Sequence, residues 1–203
     1  RAYQRFTKQG TMAVIPLYED QEVRLVFTHS VDEETPTDIS AWADLFNQVY
    51  DGYLPLITEV TRAGSFPLSH YHITNPVHER CLLMGAAAYS FYPVTAQGFN
   101  SGLLDSAALA QLISVAHSQQ LDIGQASLLR EYVSWRVPLQ ERMAGVAQAV
   151  IGVFDHGQEW NVFKGLGLSM FDLALGGKSK AGKVFLGLSG RVPDLALGLP
   201  LTQ

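Results

Sequence analysis

Between Cys81 and Asp105 an apolar run, Cys81-Leu82-Leu83-Met84, passes into Gly85-Ala86-Ala87-Ala88, then into a proline-containing loop and a Gln97-Gly98-Phe99-Asn100 turn. The run predicts a buried central strand over Leu82 to Met84, and the turn predicts a helix starting close to Phe99. Gly98 is expected to supply the unusual dihedral of the turn. Leu109, Leu112, Ile113 and Ala116 then share one helical face, which has to meet a core. The N–H groups of Phe99, Asn100 and Ser101 are expected to lie unpaired at the positive end of the helix dipole. The residues from Gly85 to Ala88, almost without side chains, let a flat ligand approach the backbone, so an electron-rich oxygen or an anion suits the loop. The plainer reading is an ordinary strand-loop-helix connection whose small residues only allow close packing.

Upstream, Met12 to Leu17 and Val23 to Phe27 are apolar, β-branched runs on either side of the polar Glu19-Asp20-Gln21, a hairpin pattern. An acidic loop then leads to Asp38 or Ser40 as N-cap, followed by Trp42, Leu45, Phe46 and Val49 at helical spacing. Further strands are expected at Ile57 to Val60 and at Phe66 to Leu68. Downstream, a helix is expected from about Gln125 to Phe154, kinked or divided at Pro138, and another from about Trp160 to Leu175. Leu128, Leu129 and Tyr132, with Met143, Val146 and Val150 further on, form apolar stripes expected to be partly exposed. The fold class is α/β, or mixed α+β. Residues 1–78 read as a substrate-side sheet, 79–122 as a strand-loop-helix unit and 123–203 as a helical region.

Composition excludes several classes of function. With 203 residues, 47% of them hydrophobic, the chain can bury a sizeable core. Its 19 acidic and 14 basic residues give a net charge of −5 with no basic block, so nucleic acid is not expected as a partner. Cys81, the one cysteine, reads as a small buried residue in a reducing compartment, which points to the cytoplasm. There is no apolar stretch long enough for a transmembrane helix, and no signal core follows Arg1. A start at Arg1 instead of Met reads as the mark of a piece of a longer protein.

Other motifs fall short of a site. Gly177 to Lys183 imitates a phosphate-binding loop, but Val184 stands where a Ser or Thr must reach Mg²⁺. His70, His72 and the His78-Glu79 pair match no metal-site spacing and read as exposed loop residues, so no metal is expected. No nucleophile elbow is present.

The segment from Gly85 to Leu109 resembles the second flavin-binding motif of the class A FAD-dependent aromatic monooxygenases, written G-D-A-A-H, then H-P, then G-Q-G-x-N and a helix with D-x-x-x-L. Gly85, Ala87, Ala88, Pro93, Gln97, Gly98, Asn100, Asp105 and Leu109 match it. Within that class the run from Gln97 to Asp105 is similar to the ubiquinone-biosynthesis hydroxylases. Ala2 to Thr7, Ser65 to Leu68, the stretch from Leu129 to Arg136, and Leu166 to Leu168 extend the likeness along nearly the whole chain.

The resemblance implies an FAD cofactor contacted by Gly85, Ala86, Pro93, Gln97, Gly98, Phe99 and Asn100. It implies a substrate face lined by Pro93 and Val94, and assigns no catalytic side chain. The activity implied is hydroxylation of an electron-rich phenol. The implied partners are a polyprenylated aromatic or quinone precursor and other ubiquinone-biosynthesis proteins, with peripheral membrane contact in keeping with such a substrate. The chain departs from the motif at three points. Ala86 replaces the residue that hydrogen-bonds the ribityl chain, Tyr89 replaces the polar residue closing the first motif, and Ala96 replaces the first glycine of the turn. No G-x-G-x-x-G fingerprint for a pyrophosphate occurs in these residues. Weak or absent FAD binding by this chain is therefore expected, which leaves an enzyme or a flavin-free accessory protein derived from one.

Overall fold

The computed structural model describes residues 1–7, 9–18, 21–61, 63–93, 96–155 and 190–201, without the side chains of 149–155. The chain forms two compact units, Arg1–Pro67 and Leu68–Gln203.

In the first unit the expected hairpin forms between β2 (Thr11–Pro16) and β3 (Val23–Thr28), which pair antiparallel, with β1 (Tyr3–Phe6) on the other side of β2. Alternation along β2 turns Met12 and Val14 inward. There they pack with Phe46 and Tyr50 from α1 (Ala41–Val49) and its C-terminal end, with Trp42, Leu45 and Val49 around them. The apolar period of that helix thus meets the sheet as its spacing requires. The buried Tyr50 hydroxyl donates to the Met12 carbonyl at 2.8 Å, fixing the end of α1 to the middle strand. Neither proposed cap closes α1 with its side chain. The Asp38 carboxylate instead accepts from the Ser40 amide at 3.0 Å, a local turn ahead of the helix.

The strands expected at Ile57 to Val60 and at Phe66 to Leu68 are not formed. The backbone of Ile57 pairs with the amide side chain of Asn47, giving bonds of 2.8 and 2.9 Å in place of a neighbouring strand. Phe66 and Leu68 are exposed, with no ladder partner among the described residues.

The second unit is built on two long helices, α2 (Gly98–Ser118) and α3 (Ala126–Asp155). Ala108, Leu112 and Ala116 of α2 pack against Leu128, Leu129, Tyr132, Trp135 and Leu139 of α3. The first part of the α3 stripe is thus buried rather than exposed, while Met143 and Val146 are half-buried. The helix runs through Pro138 without dividing. Pro138 lies on the exposed face, where water can take the carbonyl that proline leaves without a donor. The helix expected from Trp160 to Leu175, the phosphate-loop imitation at Gly177 and the Leu166 to Leu168 segment lie outside the described residues.

Short strands flank the helices: β4 (Tyr71–His72) pairs with β7 (Tyr89–Ser90), and β5 (Val77–His78) with β6 (Cys81–Leu82), all antiparallel. The buried central strand expected over Leu82 to Met84 is thus one arm of a tight hairpin. Leu82 and Met84 turn toward the helix-pair core while Cys81 and Leu83 face outward, so the run is half-buried with period two. Cys81 is exposed, contrary to its apolar neighbourhood in sequence. Residues near the C-terminus return to the helices. The Trp135 indole donates to the Arg191 carbonyl at 2.8 Å, and Gln111 exchanges bonds of 2.9 and 3.0 Å with the side chain and amide of Asp194.

Candidate functional site

The residues from Gly85 to Ala87 form a single tight helical turn entered from an extended Met84, and Gly85 itself takes a φ of +54°. A glycine is needed there, since a Cβ strains a left-handed backbone. The turn lies against α2 at Gly102: a Cβ built on Gly85 would stand 3.9 Å from the Gly102 Cα. Ala86 and Ala87 are exposed, and the Tyr71 hydroxyl donates to the Ala86 carbonyl. Exposed Pro93 then begins a turn closed by the Ala96 amide donating to its carbonyl at 2.9 Å. Val94 lies outside the described residues.

The helix begins at Gly98 as expected, but the left-handed residue of the turn is Ala96, at φ +50°, not Gly98. A Cβ on Gly98 would meet nothing within 4 Å among the described residues. Gln97 is the N-cap residue, without a side-chain cap bond; its side-chain oxygen accepts from the Asn100 amide group at 3.5 Å. Of the three N–H groups expected to be unpaired, that of Ser101 donates to the Gln97 carbonyl at 2.9 Å, the first bond of the helix. Those of Phe99 and Asn100 precede it and have no acceptor within the helix. Phe99 is 77% exposed.

Beneath this surface is a buried polar cluster. The Asp105 carboxylate accepts from the Arg136 Nε at 2.7 Å, from the Gln140 amide at 3.1 Å on both oxygens, and from the Tyr89 hydroxyl at 2.6 Å. The Tyr89 oxygen is also 2.9 Å from the Ser101 Oγ, whose hydroxyl can donate to it. Burial, reinforced by the bond to Asp105, pushes the Tyr89 hydroxyl far above its usual range, so it stays protonated and donates. Burial likewise raises Tyr132, whose hydroxyl, like the Arg136 Nη2, has no hydrogen-bond partner within bonding geometry among the described residues. Gln140 lies 3.4 Å from the ring of His72, and His70 contacts the Ser90 carbonyl at 2.9 Å. Both histidines are half-buried partners of neighbouring groups, His70 in the loop ahead of β4 and His72 within β4, and among the described residues no group of side chains could hold a metal.

The expected residues therefore divide. Gly85 and Ala86 on the turn and Gln97 to Asn100 on the helix belong to two elements joined through Gly102, while Pro93 lies on the loop between them. None of these side chains is an acid or a base, so the surface can bind and orient a ligand but cannot itself move a proton. Sequence reasoning used Ser101 only through its backbone N–H and Asp105 only as a motif match, and gave no role to the Ser101 side chain, to Gln140 or to the pairing of Asp105 with Arg136. Their signal was present: Asp105 sits on the inward stripe of α2 between Leu104 and Ala108, and Arg136 and Gln140 are one turn apart on that of α3.

A surface of small residues and helix amides without titratable side chains can position a cofactor that brings its own chemistry. The family described as FAD binding domain matches residues 1–147. The uncharacterized protein slr1300 of Synechocystis is 30% identical over 206 residues, covering 100% of this chain and 50% of that protein. The ubiquinone hydroxylase UbiL of Rhodospirillum rubrum is 29% identical over 76% of the chain and 37% of its own length. The ubiquinone hydroxylase UbiM of Neisseria meningitidis is 33% identical over 64% of the chain and 29% of its own length. The chain belongs to the FAD binding domain family. FAD is the cofactor of the family, and the chain spans half or less of the length of these relatives. Among the described residues no helix is long and apolar enough to cross a membrane.

The described residues leave room for a flat ring. The space next to Gly98 is open, and the turn at Ala86 and Ala87 presents backbone and methyl groups. A partner for the ribityl hydroxyls is what Ala86 does not offer.

Proposed function

We propose that this chain supplies the flavin-facing turn and helix, and also a substrate-side sheet, of an FAD-dependent monooxygenase that hydroxylates the aromatic ring of a ubiquinone precursor. The observation that carries this reading is the small-residue Gly85–Ala87 turn packed on α2 at Gly102, beside a helix start whose Phe99 and Asn100 amides have no acceptor within the helix and where no described residue crowds Gly98. Bound there, FAD supplies the electrons and the activation of O₂ that ring hydroxylation requires. The protein's part is positional and electrostatic. The amides of Phe99 and Asn100, at the positive end of a 21-residue helix, favour negative charge on the pyrimidine edge of the flavin. Gly85, Ala86 and Gly98 let the ring come close to the backbone, and Gln97 steadies Asn100. Pro93 and Val94 belong to the face that meets the substrate ring, and residues 1–78 form the substrate-side part of the chain. Residues 79–122 carry the flavin contacts, and 123–203 support them.

A second reading is favoured by Ala86: a flavin-free accessory protein that keeps a quinone-precursor or subunit surface. FAD titration followed by fluorescence quenching separates the two. The monooxygenase reading expects saturable binding, weaker than about micromolar for these residues alone, that Gly98→Leu abolishes by filling the space beside Gly98. No saturable binding at all, or binding indifferent to Gly98→Leu, would favour the accessory protein.

A further inference from the structure

The first turn of α2 has no side-chain cap, yet the proposed function asks it to hold two amides in a fixed place. A helix end without a cap ordinarily frays. Here the anchor lies behind it. Ser101, fully buried in that first turn, is tied to the Tyr89 hydroxyl at 2.9 Å. The same hydroxyl donates at 2.6 Å to Asp105, one turn further along. Tyr89 belongs to β7, directly after the small-residue turn, and its ring is 2% exposed and stacked on Phe91 at 4.6 Å. Asp105 is in turn held by Arg136 and Gln140 of α3. One hydroxyl thus joins the strand that leaves the small-residue turn to the helix on which that turn packs.

We propose that Tyr89 is a positioning residue, whose hydroxyl clamps the Gly85–Ala88 turn to the first two turns of α2 and so sets the Phe99 and Asn100 amides against the flavin. This role rests on the flavin reading, but the clamp can be tested without a ligand. It also accounts for the departure at the end of the first motif. The resembling family closes that motif with a polar residue, and Tyr89 keeps a donor there while reaching inward to Asp105.

The test is hydrogen–deuterium exchange, read by mass spectrometry on the whole chain, for Tyr89→Phe, Ser101→Ala and Tyr89→His. Tyr89→Phe is expected to speed exchange over residues 98–104 by at least about tenfold, the equivalent of one lost hydrogen bond, with the β1–β3 sheet and the 128–135 stretch of α3 unchanged. Ser101→Ala, which leaves the bond to Asp105, is expected to give a smaller change in the same peptides. Tyr89→His, which restores an N–H donor, is expected to return most of the protection. Unchanged exchange over 98–104 in Tyr89→Phe, or equal acceleration throughout the second unit, would overturn the clamp. FAD titrations of the same proteins separate the two ideas. If the unaltered chain binds no FAD, the flavin reading fails and the exchange data still decide the clamp. If it binds FAD with the same affinity and absorption spectrum with and without the Tyr89 hydroxyl, the positioning role fails.

Discussion

Asp105 on α2 and Arg136 on α3 meet at 2.7 Å with their side chains 0% and 1% exposed, an ion pair closed off from water between two helices. Removing one partner leaves the other as an uncompensated buried charge, whereas removing both leaves only neutral polar groups, the Gln140 amide and the Tyr89 hydroxyl, in the seam. Arg136→Leu or Asp105→Leu alone is therefore expected to cost about 3–5 kcal/mol of unfolding free energy. The double variant is expected to cost less than either single one, as urea unfolding of the four proteins would show. A double variant as damaged as the sum of the singles would mean that the pair is not the source of the loss.

Ala96 takes a φ of +50° where the resembling family places glycine. An L-residue held in the left-handed region costs about 1–2 kcal/mol, partly offset by the greater unfolded-state freedom of glycine. Ala96→Gly should therefore stabilise the protein by about 0.5–1 kcal/mol, seen as a higher melting temperature. Gly85→Ala, at φ +54°, should act in the opposite direction.

Arg80 grips the Asp122 carboxylate through bonds of 2.6 and 2.8 Å on the surface, and the Gly124 amide donates to it as well. The Arg80 bonds, and then the Gly124 amide, lower the Asp122 carboxyl to about 2. The folded value lies below the unfolded one, so this contribution is present above the ordinary carboxylate range and is lost as pH falls toward 2. NMR titration should find the Asp122 midpoint near 2, moving up toward the usual aspartate value in Arg80→Gln. Gly124→Ala should move it the same way, because a Cβ there would stand 2.5 Å from the Arg80 guanidinium and displace it.

Restoring the family's acidic residue offers a fourth test. Ala86 is exposed on its turn, so Ala86→Asp should fold normally and offer one acceptor to a ribityl hydroxyl. One such bond strengthens FAD binding by at most about tenfold. Affinity for the whole cofactor depends on a pyrophosphate grip that these residues do not contain, so binding should stay weaker than about micromolar. A protein that retains flavin colour through purification would contradict this.

The elements with local causes were legible. The hairpin and α1 follow from period two and period 3.6 within a few residues, and α2 starts at Gly98 because the apolar stripe from Leu104 onward needs a core to face. What escaped depends on distant partners. Ile57 looked like strand, but its backbone found the Asn47 side chain, and no propensity encodes that choice. Cys81 to Met84 looked uniformly apolar, yet the hairpin with Val77 and His78 imposes alternation, so Cys81 and Leu83 face outward. The residues of the small-residue turn and the helix start were legible only as a family pattern. The clamp beneath them was written as one tyrosine and one serine in a small-residue run, where nothing local shows that they meet.

The return of residues 190–201 to the helix pair bears on the order in which the molecule comes apart. Gln111 and Asp194 are 83 positions apart and Trp135 and Arg191 are 56 apart, so these contacts close long rings of chain. Ring closure of that size costs on the order of 4 kcal/mol in chain freedom, roughly what a few such bonds return. The docking of Arg191 and Asp194 is thus nearly balanced by itself, whereas the α2–α3 seam rests on a continuous apolar core. Under rising denaturant the terminal segment should leave first, uncovering the Trp135 indole while the helix pair still stands. Tryptophan fluorescence would then report an early, local transition ahead of the loss of helix.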